Sequence, residues 1–220
     1  MPFDLTSEDL PKVIYLDAFG TLFGLRGSVG ELYSKLAWQA QVNTDARAVN
    51  RAFYQSFAAA ERLAFPGAAV EAIPALEYRW WQAIVADTFK RVGALDKFAD
   101  FDAFYANLYA YFETATPWQV YADTLPALTR WQAMGIELGV ISNFDSRLHR
   151  VLDLLALAPH FQSVTLSTEV GAAKPSAKIF AAALAKHSCA ADRAWHVGDS
   201  EAEDYIGAKA AGMRAILIAR

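Results

Sequence analysis

The sequence has little cysteine, since Cys189 is the only one in the chain. An intrachain disulfide is therefore impossible, and a reducing compartment fits this composition better than secretion does. Residues 1–11 include three acidic side chains and lack the basic start and apolar stretch of a signal peptide. No apolar run of the sequence is long enough to span a bilayer. We therefore expect a cytoplasmic protein that does not cross a membrane.

An excess of basic residues is also missing, because 20 lysines and arginines stand against 24 aspartates and glutamates. The net charge of −4 gives no broad positive field that would attract a nucleic-acid backbone or an anionic membrane surface. The four histidines lack the spacing of a zinc site, and Cys189 has no adjacent basic residue to activate its thiol. A small anionic substrate is still compatible with this net charge, because one lysine and one metal ion in a cleft can outweigh a mildly negative surface.

Hydrophobic residues, by contrast, are abundant. They make up 55% of the 220 residues, while charged residues make up 20%, which is far from the composition of a disordered chain. A chain of this length is long for one minimal core and short for two large ones. We expect a main domain with a modest insert, in a monomer or homodimer.

Five short apolar segments rich in β-branched residues predict strands. They show no polar alternation, which is typical of strands that helices cover on both faces of a parallel sheet. The segments are residues 13–16, 138–141, 164–166, 194–197 and 215–218. Apolar residues at helical spacing predict helices over residues 148–157, 176–186 and 204–211. This alternation predicts a doubly wound α/β domain.

Residues 26–117, between the first two predicted strands, predict a separate helical insert. The stretch has no convincing strand pattern but carries apolar residues at helical spacing. We expect three or four helices, with breaks at Pro66, Gly67, Pro74 and Gly93. The insert is too long for an ordinary crossover, which indicates a separate lid-like helical domain. Its aromatic residues are expected to form its own core, and they are Trp80, Trp81, Phe89, Phe101, Phe104, Tyr105, Tyr109, Tyr111 and Phe112.

Polar residues follow four of the predicted strands, at the sheet edge where reactive groups of open α/β folds gather. Asp17 follows the first strand, Ser142 and Asn143 follow the second, Lys174 lies beyond the third, and Asp199 follows the fourth. A carboxylate nucleophile at Asp17 needs positive charge nearby if it is to accept an anionic substrate. Lys174 and a Mg²⁺ ion bound by carboxylate oxygens would supply that charge.

The four segments, in this order, resemble the four signature motifs of the haloacid dehalogenase-like (HAD) hydrolase superfamily. They read DAFGT from residue 17, SNFD from residue 142, KP from residue 174 and GDSEAED from residue 198. The resemblance covers nearly the whole chain. It implies a Rossmann-like parallel sheet flanked by helices in residues 1–25 and 118–220, with an α-helical cap in residues 26–117. Residues 140–145 also resemble the branch named for a rhythmically expressed gene.

The resemblance implies a role for each matching residue. The catalytic and substrate-binding residues are expected to be Asp17 as the nucleophile, Thr21, Ser142 and Asn143 as contacts of the substrate, and Lys174 as the charge-neutralising lysine. Mg²⁺ is expected to bind Asp17, Asp199 and the backbone carbonyl of Phe19. Asp204 is expected to lie behind the metal, where it would steady either bound water or Lys174.

Phe19 is the main departure from the motifs. Phosphatases of the superfamily carry a second aspartate at this position, which transfers protons to the leaving group and from the attacking water. Positioned acid-base catalysis accelerates a reaction by about two to four powers of ten, or roughly 3 to 5 kcal/mol. The chain is therefore expected to be a phosphatase for small metabolites with good leaving groups, an enzyme whose leaving group needs no proton, or a protein that binds a phosphorylated ligand without turnover.

Metal-independent 2-haloacid dehalogenation is the main alternative chemistry. Dehalogenases of the superfamily are similar to this sequence in having an aromatic residue at position 19 and the pair Ser142 and Asn143. Asp199 argues against this interpretation, because an uncompensated carboxylate beside Asp17 would repel a haloacid. We therefore favour Mg²⁺-dependent phosphoryl chemistry over dehalogenation.

Three other polar residues near the motifs need an interpretation. Asp145 could replace the missing acid-base group, but an N-cap of the helix predicted to begin near Arg147 is the favoured interpretation. His196 lies within an apolar strand and is expected to be a structural histidine. Glu203 is expected to be a surface acid or to lie in the outer surroundings of the metal.

Overall fold

A computed structural model describes residues 10–220. The expectation that residues 1–11 are not a signal peptide therefore falls mostly outside the described residues. The described residues form two compact units: one contains the residues up to Gly24 together with Leu63–Val70 and Val120–Arg220, and the other contains Leu25–Arg62 and Glu71–Gln119. No helix among residues 10–220 combines the length and hydrophobicity that a membrane span requires.

The first unit is built on a five-stranded parallel sheet, as predicted. Its strands are β1 (Val13–Leu16), β4 (Glu137–Ser142), β5 (Ser163–Leu166), β6 (Ala194–Gly198) and β7 (Arg214–Leu217), in the spatial order β5-β4-β1-β6-β7. All four residues of β1 are buried, because this central strand is covered on both faces. In the register of the sheet Leu16 lies between Val140 and Val197, so the residues that follow β1, β4 and β6 meet at one edge.

Helices flank this sheet and confirm the α/β class. They are α5 (Thr124–Ala133), α6 (Arg147–Leu154), α7 (Ser167–Val170), α8 (Ala177–Lys186) and α9 (Gly207–Ala210). Apolar side chains of α8 and α9 pack against the strands, with Ile179, Phe180 and Ala208 fully buried. This core fixes the strand ends that carry the predicted motifs.

The helix predicted for residues 204–211 is a π-helical turn, Glu201–Ile206, followed by α9. The backbone N–H groups of both Asp204 and Tyr205 donate to the Ser200 carbonyl, and the Ser200 hydroxyl accepts from the Glu203 N–H group. The widened turn begins three residues before the predicted helix. Its start lies in an acidic segment without apolar periodicity, which is why the sequence pattern does not reveal it.

The second unit is helical. Its helices are α1 (Val29–Gln39), α2 (Ala46–Ala59), α3 (Ile73–Arg91) and α4 (Phe101–Tyr111), which matches the expected three or four. Phe89, Phe104 and Tyr105 are buried in its core, and Trp80, Trp81, Phe101, Tyr109 and Phe112 pack against that core. Most of the aromatic residues of the insert therefore serve its own packing, as predicted.

Two details of this stretch differ from the predictions. Pro74 does not break the insert but is the second residue of α3, where a missing N–H group costs no helical hydrogen bond. Residues 63–70 belong to the first unit, where the Phe65 and Pro66 backbone packs against Gly171: a Cβ atom at that glycine would lie 3.1 Å from Pro66 Cα. The assignment of this loop to the first unit could not be predicted from its composition.

Two short strands, β2 (Phe23–Leu25) and β3 (Trp118–Val120), form a separate two-stranded sheet. They lie where the chain passes between the two units and were not predicted. Each has three residues, which is too short for an alternating or apolar pattern to stand out.

Candidate active site

Asp17 is the first residue after β1, and its side chain is at the carboxyl edge of the sheet. The residue is 8% exposed, and its backbone N–H group donates to the Val197 carbonyl at 2.9 Å. The chain then turns sharply, with the Leu22 N–H group donating to the Ala18 carbonyl at 2.8 Å. Gly20 has a φ of +85° in this turn, a conformation that favours glycine. The tight loop holds the Asp17 carboxylate in a fixed place.

Lys174 is the cation of the site and is 1% exposed. Its Nζ atom lies 2.7 Å from Asp17 Oδ1, 2.5 Å from Asp204 Oδ1 and 3.0 Å from the Ile141 carbonyl oxygen. Burial by itself would lower the pKa of Lys174, but the negative charges of Asp17 and Asp204 outweigh it and raise the pKa. Lys174 is therefore charged at neutral pH, with one acceptor for each of its three protons.

Asp204 is 1% exposed and has a partner for each oxygen. Its Oδ1 atom contacts Lys174 Nζ and lies 2.8 Å from His196 Nε2, and its Oδ2 atom accepts from the Ser200 N–H group at 3.0 Å. Burial would raise the pKa of Asp204, but the hydrogen bond from His196 and the charge of Lys174 lower it well below its usual range. Gly198 leaves the space that this carboxylate fills, because a Cβ atom there would overlap it.

Asp199 is exposed and lies over the loop that follows Asp17. The Thr21 hydroxyl donates to Asp199 Oδ1 at 3.2 Å, and a Cβ atom at Gly20 would overlap the Asp199 carboxylate. Partial desolvation and the charges of Asp17 and Asp204 raise the pKa of Asp199. Asp17, Asp199 and Asp204 each place one oxygen within 4.8 Å of the others, the one acidic or histidine cluster of metal-binding shape within residues 10–220.

Ser142 and Asn143 end β4 beside this cluster. Ser142 is 2% exposed. The Asn143 side chain links two segments: its Oδ1 atom accepts from the Lys174 N–H group at 2.7 Å, and its Nδ2 atom donates to the Lys174 carbonyl at 3.1 Å and to Glu203 Oε2 at 2.9 Å. Asn143 thus holds the backbone N–H and carbonyl groups of Lys174 and uses its other amide proton on Glu203. The structure gives it this positioning role in addition to the predicted substrate contact.

Phe19, at the position of the missing acid, and Asp145, considered as its replacement, have different surroundings. The Phe19 side chain lies in the loop after β1 and is 41% exposed. Asp145 is fully buried, and its two oxygens accept from the Arg147 guanidinium at 2.8 and 2.7 Å. Its Oδ1 atom also accepts from the Arg147 N–H group at 3.0 Å, at the start of α6. The carboxylate therefore supports the helix start, although Ser146 is the N-cap residue by backbone geometry.

Two contacts of the site were not predicted. His196, expected to be structural, contacts the site through its Nε2 atom, which lies 2.8 Å from Asp204 Oδ1. Arg220 donates to the Thr21 carbonyl at 2.6 Å and to Asp123 Oδ1 at 2.6 Å, and its guanidinium lies 4.3 Å from the centre of the Tyr121 ring. No sequence motif predicts the contact of Arg220 with Thr21, because the two residues are 199 positions apart in the chain.

A parallel sheet with a lysine and three aspartates at its carboxyl edge defines the chain as a Rossmann-like α/β protein with a polar site at the usual position for catalysis. The chain belongs to the haloacid dehalogenase-like hydrolase family, whose sequence model matches residues 11–212. This membership confirms the family resemblance and makes the protein a hydrolase.

Several known proteins are similar to the chain. Haloacid dehalogenase-like hydrolase domain-containing protein 3 of Danio rerio is 33% identical and is matched over 93% of this chain and 83% of its own length. The Rhythmically expressed gene 2 protein of Drosophila melanogaster is 26% identical over 94% of this chain and 82% of its own length, which confirms the predicted branch.

Shorter and purely structural similarities extend these matches. A glyceraldehyde 3-phosphate phosphatase of Methanothermobacter thermautotrophicus is 37% identical over 99 residues, which are 44% of each chain. The structure of the L-2-haloacid dehalogenase of Xanthobacter autotrophicus superimposes with a TM-score of 0.69 at 17% identity, over 96% of this chain and 78% of that one. The second similarity shows the fold alone.

Proposed function

We propose that the protein is a Mg²⁺-dependent phosphatase that acts on a small phosphorylated metabolite through an aspartyl-phosphate intermediate at Asp17. The observation that carries the proposal is the contact of the buried Asp17 carboxylate with the Lys174 ammonium group beside two further carboxylates. The similarity to a glyceraldehyde 3-phosphate phosphatase supports the same reaction class. The composition supports a cytoplasmic monomer or homodimer without nucleic-acid or membrane partners.

The charge of the cluster supports a cation at this site. Three carboxylates face one lysine, which leaves an excess of two negative charges. Burial first, and the charges of Asp17 and Asp204 second, raise the pKa of Asp199. Asp204 has its oxygens engaged, so Asp17 and Asp199, with the Phe19 carbonyl, would hold the ion. When bound, Mg²⁺ would neutralise phosphoryl oxygens and orient the transferred group.

The protein's own side chains carry out the remaining steps. The Asp17 oxygen that does not face Lys174 attacks phosphorus, the bond from phosphorus to the leaving oxygen breaks, and an acyl phosphate forms. Lys174 offsets the negative charge between the carboxylate and the phosphoryl group, while the hydroxyls of Thr21 and Ser142 orient it. Water then attacks phosphorus and releases the Asp17 carboxylate and inorganic phosphate.

Phe19 restricts the substrates of this reaction. The phenyl ring transfers no proton, so the leaving oxygen departs as an anion or takes its proton from water. Acyl and aryl phosphates, whose leaving groups are weak bases, are therefore the expected substrates, and simple alkyl phosphates are expected to react slowly.

Dehalogenation is the second candidate, favoured by the exposed aromatic ring at position 19. A haloacid would be attacked at carbon by Asp17 with loss of halide, which requires no proton. This reaction would need no metal. Binding of a phosphorylated ligand without turnover is the third possibility.

A substrate panel separates these candidates. Acetyl phosphate, p-nitrophenyl phosphate and 2-chloropropionate are incubated with the protein in the presence of Mg²⁺ or of a chelator. We expect phosphate release that requires Mg²⁺ and disappears in Asp17→Asn, while the exposed control Asp192→Asn keeps the activity of the parent. Chloride release that ignores the chelator would instead establish the dehalogenase, and tight phosphate binding without turnover would establish the binding protein.

A further inference from the structure

His196 lies in the middle of β6, is fully buried and packs edge-on against the Phe180 ring at 5.6 Å between centroids. Its Nε2 atom lies 2.8 Å from Asp204 Oδ1, the same oxygen that accepts from Lys174. We propose that His196 is a positioning residue, whose Nε2–H group holds the Asp204 carboxylate in the orientation that directs Lys174 at Asp17. This inference rests on the proposed function of Asp17 as nucleophile.

The tautomer of His196 follows from its surroundings. Asp204 is ionised, because the Lys174 ammonium group and the Ser200 N–H group donate to its two oxygens, so these oxygens can only accept from the ring. Burial lowers the pKa of His196 and keeps the ring neutral. The single ring proton must therefore be on Nε2. Nδ1 has no hydrogen-bond partner within the described chain, in agreement with this assignment.

The orientation of Asp204 matters because Lys174 has no spare proton. Its three donors are used by Asp17, Asp204 and the Ile141 carbonyl. A rotation of the Asp204 carboxylate would pull one donor away and move the ammonium group relative to Asp17. The Ser200 N–H group fixes one oxygen of Asp204, and the Nε2–H group of His196 fixes the other. His196 thus acts on the nucleophile through two intermediate side chains and contacts no substrate.

Two amide substitutions that differ by one methylene group test this role. The amide nitrogen of His196→Gln can occupy the place of Nε2, whereas that of His196→Asn reaches only the place of Nδ1, where no acceptor lies. With p-nitrophenyl phosphate we expect His196→Gln to keep most of kcat. We expect His196→Asn to lose about tenfold in kcat, equivalent to roughly 1.4 kcal/mol, with little change in KM. Equal losses in the two variants would overturn the proposal, because they would mark a purely structural histidine.

The route through Asp204 is tested by a double-mutant cycle. In an Asp204→Asn background, His196→Asn should cost less than twofold in kcat, since the carboxylate that His196 orients is already gone. A full further tenfold loss would show that His196 acts by another route. Thermal unfolding of each variant separates loss of activity from loss of folded protein.

A readout without turnover keeps this inference separate from the proposed function. Long-range proton-nitrogen NMR spectra of the whole protein, with Mg²⁺ alone added, should show His196 protonated at Nε2. Exchange of the Lys174 ammonium protons with water should be slow in the parent and in His196→Gln and faster in His196→Asn. An Nδ1 proton, or equal exchange in both variants, would refute the positioning role. Absence of phosphatase activity with the expected spectra would refute the proposed function alone.

Discussion

The Nζ atom of Lys174 lies 2.7 Å from Oδ1 of Asp17, although the two residues are 157 positions apart in the sequence. Both side chains are almost fully buried. An ion pair in such surroundings is held by its geometry and by the hydrogen bonds of each partner, and it leaves an uncompensated charge when one partner is removed. The pair is therefore important both for the site and for the fold.

We predict that Lys174→Met removes phosphatase activity and lowers the free energy of unfolding by about 3 to 5 kcal/mol, because Asp17 and Asp204 lose their shared cation inside the protein. Urea unfolding followed by circular dichroism measures the loss. The matched control is Lys178→Met, since Lys178 is exposed on α8 and should cost less than about 0.5 kcal/mol. An equal, small loss in both variants would contradict the structural importance of the buried pair.

We predict that Phe19→Asp increases kcat for alkyl phosphates by at least about tenfold, because the variant supplies a carboxyl group that can protonate a strongly basic leaving oxygen. Phe19 is 41% exposed, so its replacement leaves the core intact. The rate with acetyl phosphate should change little, since that leaving group needs no proton. Phe19→Asn is the control for size and polarity without proton transfer. If Phe19→Asp and Phe19→Asn hydrolyse alkyl phosphates at the same rate, proton transfer to the leaving oxygen does not limit that reaction.

Asp145 offers a test of the competing interpretation of the missing acid. Its carboxylate is buried and accepts both from the guanidinium and from the backbone of Arg147. We predict that Asp145→Asn leaves kcat and its pH profile for p-nitrophenyl phosphate unchanged but lowers the free energy of unfolding by about 1.5 to 3 kcal/mol. Arg147→Met should destabilise the protein similarly. A hundredfold lower kcat with a shifted pH profile would instead assign proton transfer to Asp145.

The sequence predicted the parallel sheet well because strand identity here depends on local composition. Residues 13–16 are β1 as expected, and the predicted strand 138–141 lengthens by one residue at each end. The motif residues Asp17, Lys174 and Asp199 followed from the rule that strand ends meet at one edge. All five strands run parallel, so their carboxyl ends lie at the same edge.

The missed features depend on distances that no local pattern contains. Asn143 binds the backbone of Lys174 and the carboxylate of Glu203, which are 31 and 60 residues away. The residues around His196 show an apolar strand pattern. This pattern would be the same whether the His196 ring contacts an acid or only packs in the core. The partner appears only when β6 and the π-helical turn bring Asp204 beneath it. The polar contacts that support a site can therefore be predicted only once the register of the folded chain is known, whereas the strand-end residues can be predicted from the sequence.

The surface pair of His149 and Glu169 should make stability depend on pH. His149 Nε2 lies 2.7 Å from Glu169 Oε1, and this hydrogen bond is the main reason that the pKa of His149 is raised. A folded-state pKa above the unfolded value of about 6.5 means that the protonated ring stabilises the fold below about pH 6.5. This contribution is lost as the pH rises through the raised pKa. Both side chains are more than a third exposed, so solvent screening keeps it below about 1 kcal/mol.

We therefore predict that His149→Gln lowers the free energy of unfolding by up to about 1 kcal/mol at pH 5.5 and has little effect at pH 9, in urea unfolding at low salt. Glu169→Gln should remove the same pH-dependent difference, and the double variant should lose no more than either single one. In 1 M NaCl the difference should shrink, because salt screens exposed charges. A loss that is equal at both pH values would show that His149 contributes through packing, and a larger loss at pH 9 would contradict the raised pKa.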